Sequence, residues 1–428
     1  MTKHPVWLGF FGIALLMVAC TKDADKLPPK EKRQIALPSQ NNVTEDDSLA
    51  TTPIKLPPPR PQLSWPVLGG GIDRSGGESG GHMALPEKLT RAWQVHLWDQ
   101  DEAKQFNLYP PVSDGKSVYI LDRNAILHRY DLVNGAQIWR TRLIDNPVRL
   151  GSESGVRRDS IPTAVTAPAT GLDPYDDRLM TNGGLMVAEG KIAAASGENQ
   201  LVLLNAQNGW EIWRQATSSP LRAPPLIAQD RVFAINSENL LVAYQLELGK
   251  KLFDVASIPN AVGYVGGATP ATGEGIVVAG YHSGEIYGVV SESGRIAWGE
   301  SLAMMRHGEL AKIFPDIIGR PVIDRGNVYT ASRSGQIAAI DMRSGDFLWE
   351  RNIAAADQPW LVGDFLYVVT KDNDVMCLLR ETGKTRWKIR LEAKNPPQSI
   401  SNFRLTLVGP ILAGGRLVVA GSDGNVRF

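Results

Sequence analysis

Short apolar runs alternate with polar turns along most of the chain, and residues 321–349 show the arrangement clearly. Apolar or alternating segments at 321–323, 328–331, 336–341 and 347–352 are separated by turns that contain Gly or Asn. Alternation with a period of two is typical of strands, and Gly in the turns allows a positive φ. The pattern therefore predicts four short antiparallel strands.

This four-strand unit is repeated along the chain with a fixed internal spacing. In five copies a Pro lies 24 residues before a Gly, and an aromatic residue lies four residues after that Gly. A sixth copy has Leu185 in the place of the Pro. The positions that define the repeat are Gly135 and Trp139, Gly209 and Trp213, Gly249 and Phe253, Gly294 and Trp298, Gly345 and Trp349, and Gly383 and Trp387. A repeat of this length predicts an array of equal structural units.

Four antiparallel strands in each unit are typical of a β-propeller blade, so we expect an all-β fold. The chain ends supply fragments of one more unit. Residues 91–97 resemble a fourth strand without its predecessors, and residues 410–428 resemble three strands without a fourth. Joining the two fragments would close the ring and remove a free sheet edge. We therefore expect seven blades.

The N-terminal part of the chain divides into a leader and a linker. Residues 1–19 have a basic start and an apolar run, which predicts a signal peptide. Met17 to Cys20 resembles a bacterial lipobox, which implies that Cys20 is lipidated, with acyl chains such as palmitate. Thr21 follows in place of Asp, which by resemblance implies the outer membrane. Residues 20–88 are rich in Pro, Gly and charge and predict a tether, and residues 89–428 form the predicted propeller.

The connections between predicted blades differ in length although the blades do not. Residues 140–184, 254–269 and 299–320 are the longest of these connections. Because strand direction alternates, the connections emerge on the same face as the turns between second and third strands. Variable loops on a rigid scaffold are where binding usually occurs, so we expect function on this face.

Charge and residue chemistry argue against several classes of function. Lys and Arg number 45 and Asp and Glu also number 45, so no net field attracts nucleic acid. The six His residues show no metal-ligand spacing, and no nucleophile motif appears. Cys377 lies in an alternating apolar run and is expected to be a small buried hydrophobe. We therefore expect no catalytic residues, no metal and no cofactor.

The motif Asp-x-x-x-Gly-x-x-x-Trp, as at 131–139 and 341–349, resembles the repeat of pyrroloquinoline-quinone propellers. Among the families that share it, the quinoprotein dehydrogenases carry a vicinal Cys pair, and this chain has none. The length, the lipobox and the repeat layout resemble the BamB family of outer-membrane barrel-assembly lipoproteins over residues 88–428. The match is best at 316–388. This resemblance implies eight blades, one more than the repeat count.

The resemblance also implies a function and a set of contact residues. It implies a non-enzymatic scaffold, lipid-anchored at the periplasmic face of the outer membrane, that binds the central barrel-assembly subunit and unfolded outer-membrane proteins. One contact loop of the family matches Val262, Tyr264 and Val265. An acidic pair before a first strand matches Asp316, while the second acid falls on Ile318. Alternatives are a periplasmic quinoprotein oxidoreductase and a generic ligand-binding propeller.

Overall fold

The structure is a computed structural model of the chain. It describes residues 43–73, 75, 81–86, 88, 90–97, 109–122, 125–143, 183–195, 199–258, 267–302, 317–332, 335–393 and 403–428. The predicted signal peptide and Cys20 lie outside these residues. Apart from one short 3-10 turn at Asp47–Leu49, the regular elements of the described residues are all strands. The first strand, β1 (His82–Met83), precedes all the blades.

The first three blades are four-stranded antiparallel sheets whose strands follow one another in chain order. Blade 1 consists of β2 (Val112–Ser113), β3 (Ser117–Leu121), β4 (Ile126–Asp131) and β5 (Gln137–Arg142). Blade 2 consists of β6 (Gly184–Ala188), β7 (Lys191–Ala195), β8 (Gln200–Asn205) and β9 (Glu211–Ala216). Blade 3 consists of β10 (Leu226–Ala228), β11 (Arg231–Ile235), β12 (Leu240–Gln245) and β13 (Lys251–Ala256).

The next three blades repeat this order, and the seventh sheet differs from them. Blade 4 consists of β14 (Ala271–Gly273), β15 (Ile276–Gly280), β16 (Glu285–Val290) and β17 (Ile296–Ser301). Blade 5 consists of β18 (Ile317–Asp324), β19 (Asn327–Ser332), β20 (Ile337–Asp341) and β21 (Phe347–Arg351). Blade 6 consists of β22 (Trp360–Val362), β23 (Phe365–Val369), β24 (Asp374–Leu379) and β25 (Thr385–Arg390). Blade 7 consists of β1, β26 (Leu407–Ala413), β27 (Arg416–Gly421) and β28 (Val426–Arg427).

The described residues thus confirm the predicted propeller and form seven four-stranded sheets, the number counted from the repeat. First strands of neighbouring blades contact each other and are buried, whereas fourth strands carry the exposed positions. First strands therefore lie at the centre of the ring and fourth strands at its rim. The eighth sheet that the resemblance implied is not formed by the described residues.

The repeated motif closes one turn and joins two blades. The side chain of Asp341 accepts hydrogen bonds from the backbone N–H groups of Arg343 and Ser344, both at 2.9 Å. Gly345 then turns the chain with φ 83°, which favours Gly. The indole of Trp349 donates to the carbonyl of Arg380 in the next blade at 2.8 Å. The four-residue spacing from Gly345 to Trp349 therefore separates the Gly of the turn from the Trp that contacts the next blade.

The predicted closure of the ring differs from the one observed. Residues 91–97 form no strand, so the prediction of a fourth strand there is wrong. The fourth strand of blade 7 is β1, which pairs parallel with β26 at the opposite edge of that sheet. Trp93 still behaves like a fourth-strand Trp, since its indole donates to the carbonyl of Leu132 at 2.9 Å. The two-residue β28 offers few backbone groups with which residues 91–97 could pair.

The strands alternate in direction, so each blade has two ends. We call the strap face the end that carries the first-to-second and third-to-fourth turns. We call the loop face the end that carries the second-to-third turns and the connections between blades. Sequence reasoning placed the expected function on the loop face.

An N-terminal strap, defined as residues 43–73 and 81–86, lies on the strap face and enters the centre of the ring. Its outer part crosses blade 6. The backbone N–H of Asp46 donates to the carbonyl of Thr385 at 2.8 Å, and Arg386 donates to the carbonyl of Thr52 at 3.1 Å. Ile54 and Leu56 pack against the apolar cluster of blade 6. These residues were expected to be part of a tether, and from Val43 onward the structure differs from that expectation.

The central part of the strap meets first strands of the blades in order around the ring. Trp65 exchanges two backbone hydrogen bonds of 2.8 Å with Ser113 of blade 1. The later contacts are Pro66 with Val187 of blade 2, Val67 in the apolar cluster shared by blades 2 to 4, Ile72 with Thr272 of blade 4, Asp73 with Ile323 of blade 5, Gly81 with Trp360 of blade 6, and β1 with β26 of blade 7.

The strap gives partners to the inner edges of the first strands. An inner strand edge exposes N–H groups that need acceptors, and strap carbonyl oxygens accept from Val187, Thr272 and Ile323 at 2.8 to 3.0 Å. Trp65 also stacks on Trp360 with ring centroids 6.3 Å apart. Composition predicted a free tether here, but a Pro-rich segment with extended backbone is suited to edge pairing of this kind.

Candidate partner-binding face

The residues that the resemblance implied as contacts lie just beyond the described ones. Val262, Tyr264, Val265 and Asp316 are outside the described residues. Ile258 is the last described residue before the first loop, and Ile317 is the first after Asp316. The ends of both segments can therefore be placed, and both lie on the loop face.

The second-to-third turn of blade 4, residues 281–285, holds the start of the first segment. The carboxylate of Glu285 accepts a hydrogen bond from the backbone N–H of Ile258 at 3.1 Å. The hydroxyl of Ser257 donates to the same carboxylate oxygen. Ser283 adds a third hydrogen bond to that oxygen at 3.2 Å. One carboxylate of blade 4 thus fixes the point where the chain leaves blade 3.

Asn239 connects the same point to blade 3. Its side-chain amide donates to the carbonyl of Ile258 at 2.9 Å, and its side-chain oxygen accepts from the backbone N–H of His282 at 3.3 Å. Asn239 is fully buried and has φ 60°, a conformation that Asn adopts more readily than most residues. Both backbone groups of Ile258 are therefore held by side chains.

The second segment ends on the same turn. The backbone N–H of Ile317 donates to the carbonyl of Tyr281 at 3.3 Å. Gly280 allows the close approach, since a Cβ there would lie 2.7 Å from the Ile317 side chain. Burial raises the pKa of Tyr281 above its ordinary value, and its ring packs edge-on against Tyr287 with centroids 5.3 Å apart. The turn at 281–285 is thus packed in place and hydrogen bonds to the described end of each segment.

A charged cluster continues this arrangement into blades 5, 6 and 7. Arg320 lies 3.3 Å from the carboxylate of Asp357 and donates to the side chain of Gln358 at 3.0 Å. The other oxygen of Asp357 accepts from the backbone N–H of Gly409 at 3.4 Å. The side chains of Arg320 and Asp357 are partly buried, so this ion pair is less screened by solvent than a surface pair.

Sequence reasoning found the two segments but not the residues that position them. Glu285, Arg320 and Asp357 carry no repeat signal. Asn239 lies ten residues before Gly249, at a turn position that other blades also fill with Asn or Gly, but its contacts with Ile258 and His282 do not follow from that position. The matching segment around Asp316 did include Arg320, but no local pattern pointed to Asp357. Only the order of blades around the ring brings these side chains together.

The described residues offer little chemistry for catalysis or metal binding. They contain no group of three His, Cys, Asp or Glu side chains that could hold a metal ion. Cys377 is fully buried, and burial raises the pKa of its thiol to about 12. The strap occupies the strap-face end of the ring centre.

Blade 1 contains a buried polar pair. His128 Nε2 lies 3.0 Å from the carboxylate of Asp122, and both side chains are almost fully buried. Asp122 also accepts from the backbone N–H of Ile126 at 2.9 Å, which closes the second-to-third turn. The pair therefore serves to hold a turn.

The family of the chain follows from a comparison of its sequence with family models. The model described as outer membrane protein assembly factor BamB matches residues 164–389, more than half of the chain. The chain belongs to the BamB family. The matched residues include the turn at 281–285 and the ends of both predicted contact segments. Family membership confirms the resemblance that the repeat layout indicated.

Individual BamB proteins are similar over most of their length. The outer membrane protein assembly factor BamB of Escherichia coli strain K12 is 24% identical over 339 residues, which are 79% of this chain and 78% of that protein. The BamB of Salmonella typhimurium is 25% identical over 340 residues, again 79% of this chain and 78% of that protein. The BamB of Yersinia pestis is 24% identical over 318 residues, 74% of this chain and 72% of that protein.

Solved structures agree with the propeller fold. The crystal structure of BamB from Moraxella catarrhalis matches with a TM-score of 0.57 at 18% identity and covers 76% of this chain and 87% of that chain. A europium-containing methanol dehydrogenase matches with a TM-score of 0.59 at 13% identity and covers 86% of this chain and 85% of that chain. At these identities both matches show the fold alone. No helix within the described part of this BamB family member is long and apolar enough to cross a membrane.

Proposed function

We propose that this chain is a non-enzymatic scaffold lipoprotein of the outer-membrane β-barrel assembly machinery. It binds the central barrel-assembly subunit and thereby assists the insertion of unfolded outer-membrane proteins. Membership of a family of outer membrane protein assembly factors supports this role. The proposal needs no reacting group, since the work is done by holding a partner in position.

The observation that carries the proposal is the meeting of two segments at one turn. Ile258 and Ile317 both hydrogen bond to residues of 281–285. The segments that begin and end there hold Val262, Tyr264, Val265 and Asp316, which we propose as partner contacts. Because the turn at 281–285 holds one end of each segment in place, those ends are already ordered before the partner binds, and this lowers the entropic cost of binding.

The membrane attachment in this proposal is a lipid on Cys20. It would hold the chain at the periplasmic face of the outer membrane without a membrane-spanning helix. One acyl chain gives only marginal membrane binding, and several give a stable anchor. Replacing Cys20 with Ala is expected to move the protein to the soluble periplasmic fraction, as measured by fractionation and immunoblotting. Retention in the membrane by this variant would contradict the anchor.

Site-specific photo-crosslinking in living cells tests the proposed partner. A photoreactive amino acid at Ile258, which is 61% exposed on the loop face, is expected to crosslink to the central barrel-assembly subunit. The matched control is the same amino acid at Leu348, which is 50% exposed on the rim of blade 5. Equal crosslinking from both positions, or none from Ile258, would overturn the proposal.

A further inference from the structure

Two first strands differ from those of the other five blades. β18 of blade 5 has 8 residues and β26 of blade 7 has 7, whereas the other first strands have 2 to 5. Both also shift register against their second strands. Among the strand pairs that the structure describes, the first and second strands of the other five blades pair without a shift. The repeat therefore does not require these irregularities.

The register shifts lie toward the loop-face ends of the two strands. In β18 they fall within residues 317–322, and in β26 the shift falls within residues 408–411. We call these two stretches the bulges. A bulge interrupts the ladder and redirects side chains, and bulges are common beside functional sites. Ile317 directly follows Asp316 in the sequence, so one bulge lies at the end of a proposed contact segment.

One carboxylate, that of Asp357, meets both bulges. Asp357 lies just before the short first strand β22 of blade 6. Its Oδ1 lies 3.3 Å from Nη1 of Arg320, which is in the β18 bulge. Its Oδ2 accepts a hydrogen bond of 3.4 Å from the backbone N–H of Gly409, which is in the β26 bulge. The backbone N–H of Gln358 donates to Oδ1 at 2.8 Å. Asp357 thus joins the loop-face ends of blades 5, 6 and 7.

These contacts meet a need that the bulges create. Gly409 falls outside the register pairs of β26 with β27, and a backbone N–H that has left a ladder needs another acceptor. Arg320 likewise falls outside the register pairs of β18 with β19, and its guanidinium is mostly buried. Removing the carboxylate of Asp357 would take the acceptor from one bulge and the counter-charge from the other. A single side chain therefore holds both.

We propose that Asp357 is a positioning residue of the partner-binding face. Through Arg320 it fixes the end of the second contact segment, and through Gly409 it brings the loop-face end of β26 into the same interface. This inference rests on the proposed function, and the partner is the same barrel-assembly subunit. Val408, which is 60% exposed beside Gly409, is the side chain that blade 7 presents to that partner. The interface then continues past Asp316 across blade 6 to blade 7.

Photo-crosslinking in living cells tests whether blade 7 belongs to the interface. A photoreactive amino acid at Val408 is expected to crosslink to the central barrel-assembly subunit several-fold more than one at Val426. Val426 is the matched control, since it is 55% exposed on the edge strand β28 of the same blade. If Ile258 crosslinks but Val408 gives no more product than Val426, the proposed function stands and this inference is overturned. If Ile258 gives no crosslink, the proposed function fails and the inference fails with it.

Substitution of Asp357 tests the positioning role. In Asp357→Ala we expect the ratio of Val408 crosslinks to Ile258 crosslinks to fall several-fold. Hydrogen exchange at the Ile317 amide, which donates to the carbonyl of Tyr281, should also become faster. The control is Asp364→Ala, which removes a carboxylate 3.6 Å from Arg325 in the first-to-second turn of the same blade, on the strap face. It should change neither measurement.

A double variant separates positioning from a general loss of stability. If Asp357 acts through Arg320, then Arg320→Ala alone should speed exchange at Ile317 as much as Asp357→Ala does, and the double variant should add nothing. Asp357→Asn keeps an acceptor oxygen and should recover part of the crosslinking ratio; it also serves if the Ala variant fails to fold. A lower denaturation midpoint with an unchanged crosslinking ratio, or additive effects of the two Ala substitutions on exchange, would overturn the inference.

Discussion

Trp349 packs directly over Gly383 of the following blade, so closely that a Cβ on Gly383 would lie 2.5 Å from the indole. The same relationship joins Trp139 to Gly209 and Trp213 to Gly249. Gly at this position therefore meets two needs, since it adopts a positive φ and leaves room for the ring. The interblade contact, rather than the turn alone, explains why the spacing between Gly and Trp is constant.

Gly383→Ala is expected to destabilise the propeller by about 2–4 kcal/mol, because the added methyl group meets Trp349 at a backbone position with φ +66°. Gly275→Ala is the matched control, since Gly275 has φ +80° but open space around its Cβ position. We expect it to cost about 1 kcal/mol. Denaturant unfolding measures both variants, and equal losses would contradict the role of the Trp contact.

Glu285→Ala is expected to free the start of the first contact segment and weaken binding of the partner. The loss of global stability should be only about 1–2 kcal/mol, since the hydrogen bonds of one side chain are removed. Faster hydrogen exchange at the Ile258 amide and less co-purified barrel-assembly subunit are the measurements. Glu285→Gln keeps an acceptor oxygen, so it should restore part of the protection of the Ile258 amide and part of the co-purification of the barrel-assembly subunit.

The control for this variant is Glu292→Ala, at the other end of the same blade on the strap face. It should leave partner binding and exchange at Ile258 unchanged. If the Glu285→Ala protein shows fast hydrogen exchange at the Ile258 amide but still co-purifies its partner normally, the turn at 281–285 does not position the partner contacts.

Arg386→Leu is expected to release the outer part of the strap from blade 6. Arg386 precedes Trp387, and the other complete blades have an apolar residue at this position, namely Ile138, Ile212, Leu252, Ala297 and Leu348. Its guanidinium donates to the carbonyls of Thr52 and Ala50. Limited proteolysis should cut residues 43–56 sooner in this variant and leave residues 60–73 protected. Arg343→Leu, at an exposed turn of blade 5, is the control and should not change the pattern.

Acid is expected to loosen the same end of the strap. Hydrogen bonds from Lys384 and Ser48 lower the pKa of Asp46 from 3.8 to about 2. A lowered pKa in the folded protein means that the stabilisation is complete above the unfolded value and is lost as the pH falls toward 2. When rates are divided by those of an unstructured reference peptide, which corrects for the pH dependence of pepsin itself, pepsin should therefore cut residues 43–52 faster at pH 2 than at pH 4. Asp46→Asn should remove most of this difference, and a pH dependence unchanged in that variant would contradict the assignment.

The thiol of Cys377 is expected to be inert in the folded protein. Burial raises its pKa from 9 to about 12, and the side chain has no exposed surface. In a Cys20→Ala background, iodoacetamide at pH 8 should modify the protein only after unfolding in urea. Because the folded pKa is raised, the stability that depends on the protonated thiol should fall between about pH 9 and 12. Rapid alkylation of the native protein would contradict this placement.

Sequence patterns predicted the blades well and the closure of the ring poorly. The strands expected at 321–352 agree with β18 to β21, because alternation and turn residues act over a few positions. Residues 91–97 were expected to pair at the end of blade 7, but only the Trp93 side chain behaves as expected there. The Trp93 side chain packs on Gly135 of blade 1, as the other repeat Trp residues pack on the Gly of the next blade, although residues 91–97 form no strand.

The candidate site was predictable only in part. The resemblance pointed to the segments around Val262 and Asp316, and the structure shows their described ends meeting at 281–285. Glu285 could not be found in the sequence, because a single carboxylate has no pattern. Asn239 occupies a repeated turn position, but the sequence does not show which groups its side chain contacts. Their roles arise from contacts between blades 3 and 4, which depend on the packing of whole sheets.

The sequence by itself determined the repeated blade, since each blade is specified by local alternation, a Gly turn and a Trp that reaches the next copy. Tertiary structure alone decided the path of the N-terminal strap. Its bonds to Ser113, Val187 and Ile323 run through backbone atoms, which every residue except Pro offers alike as donor and acceptor. A Pro-rich segment therefore looks like a free linker in the sequence and becomes ordered only where a ring of open strand edges receives it.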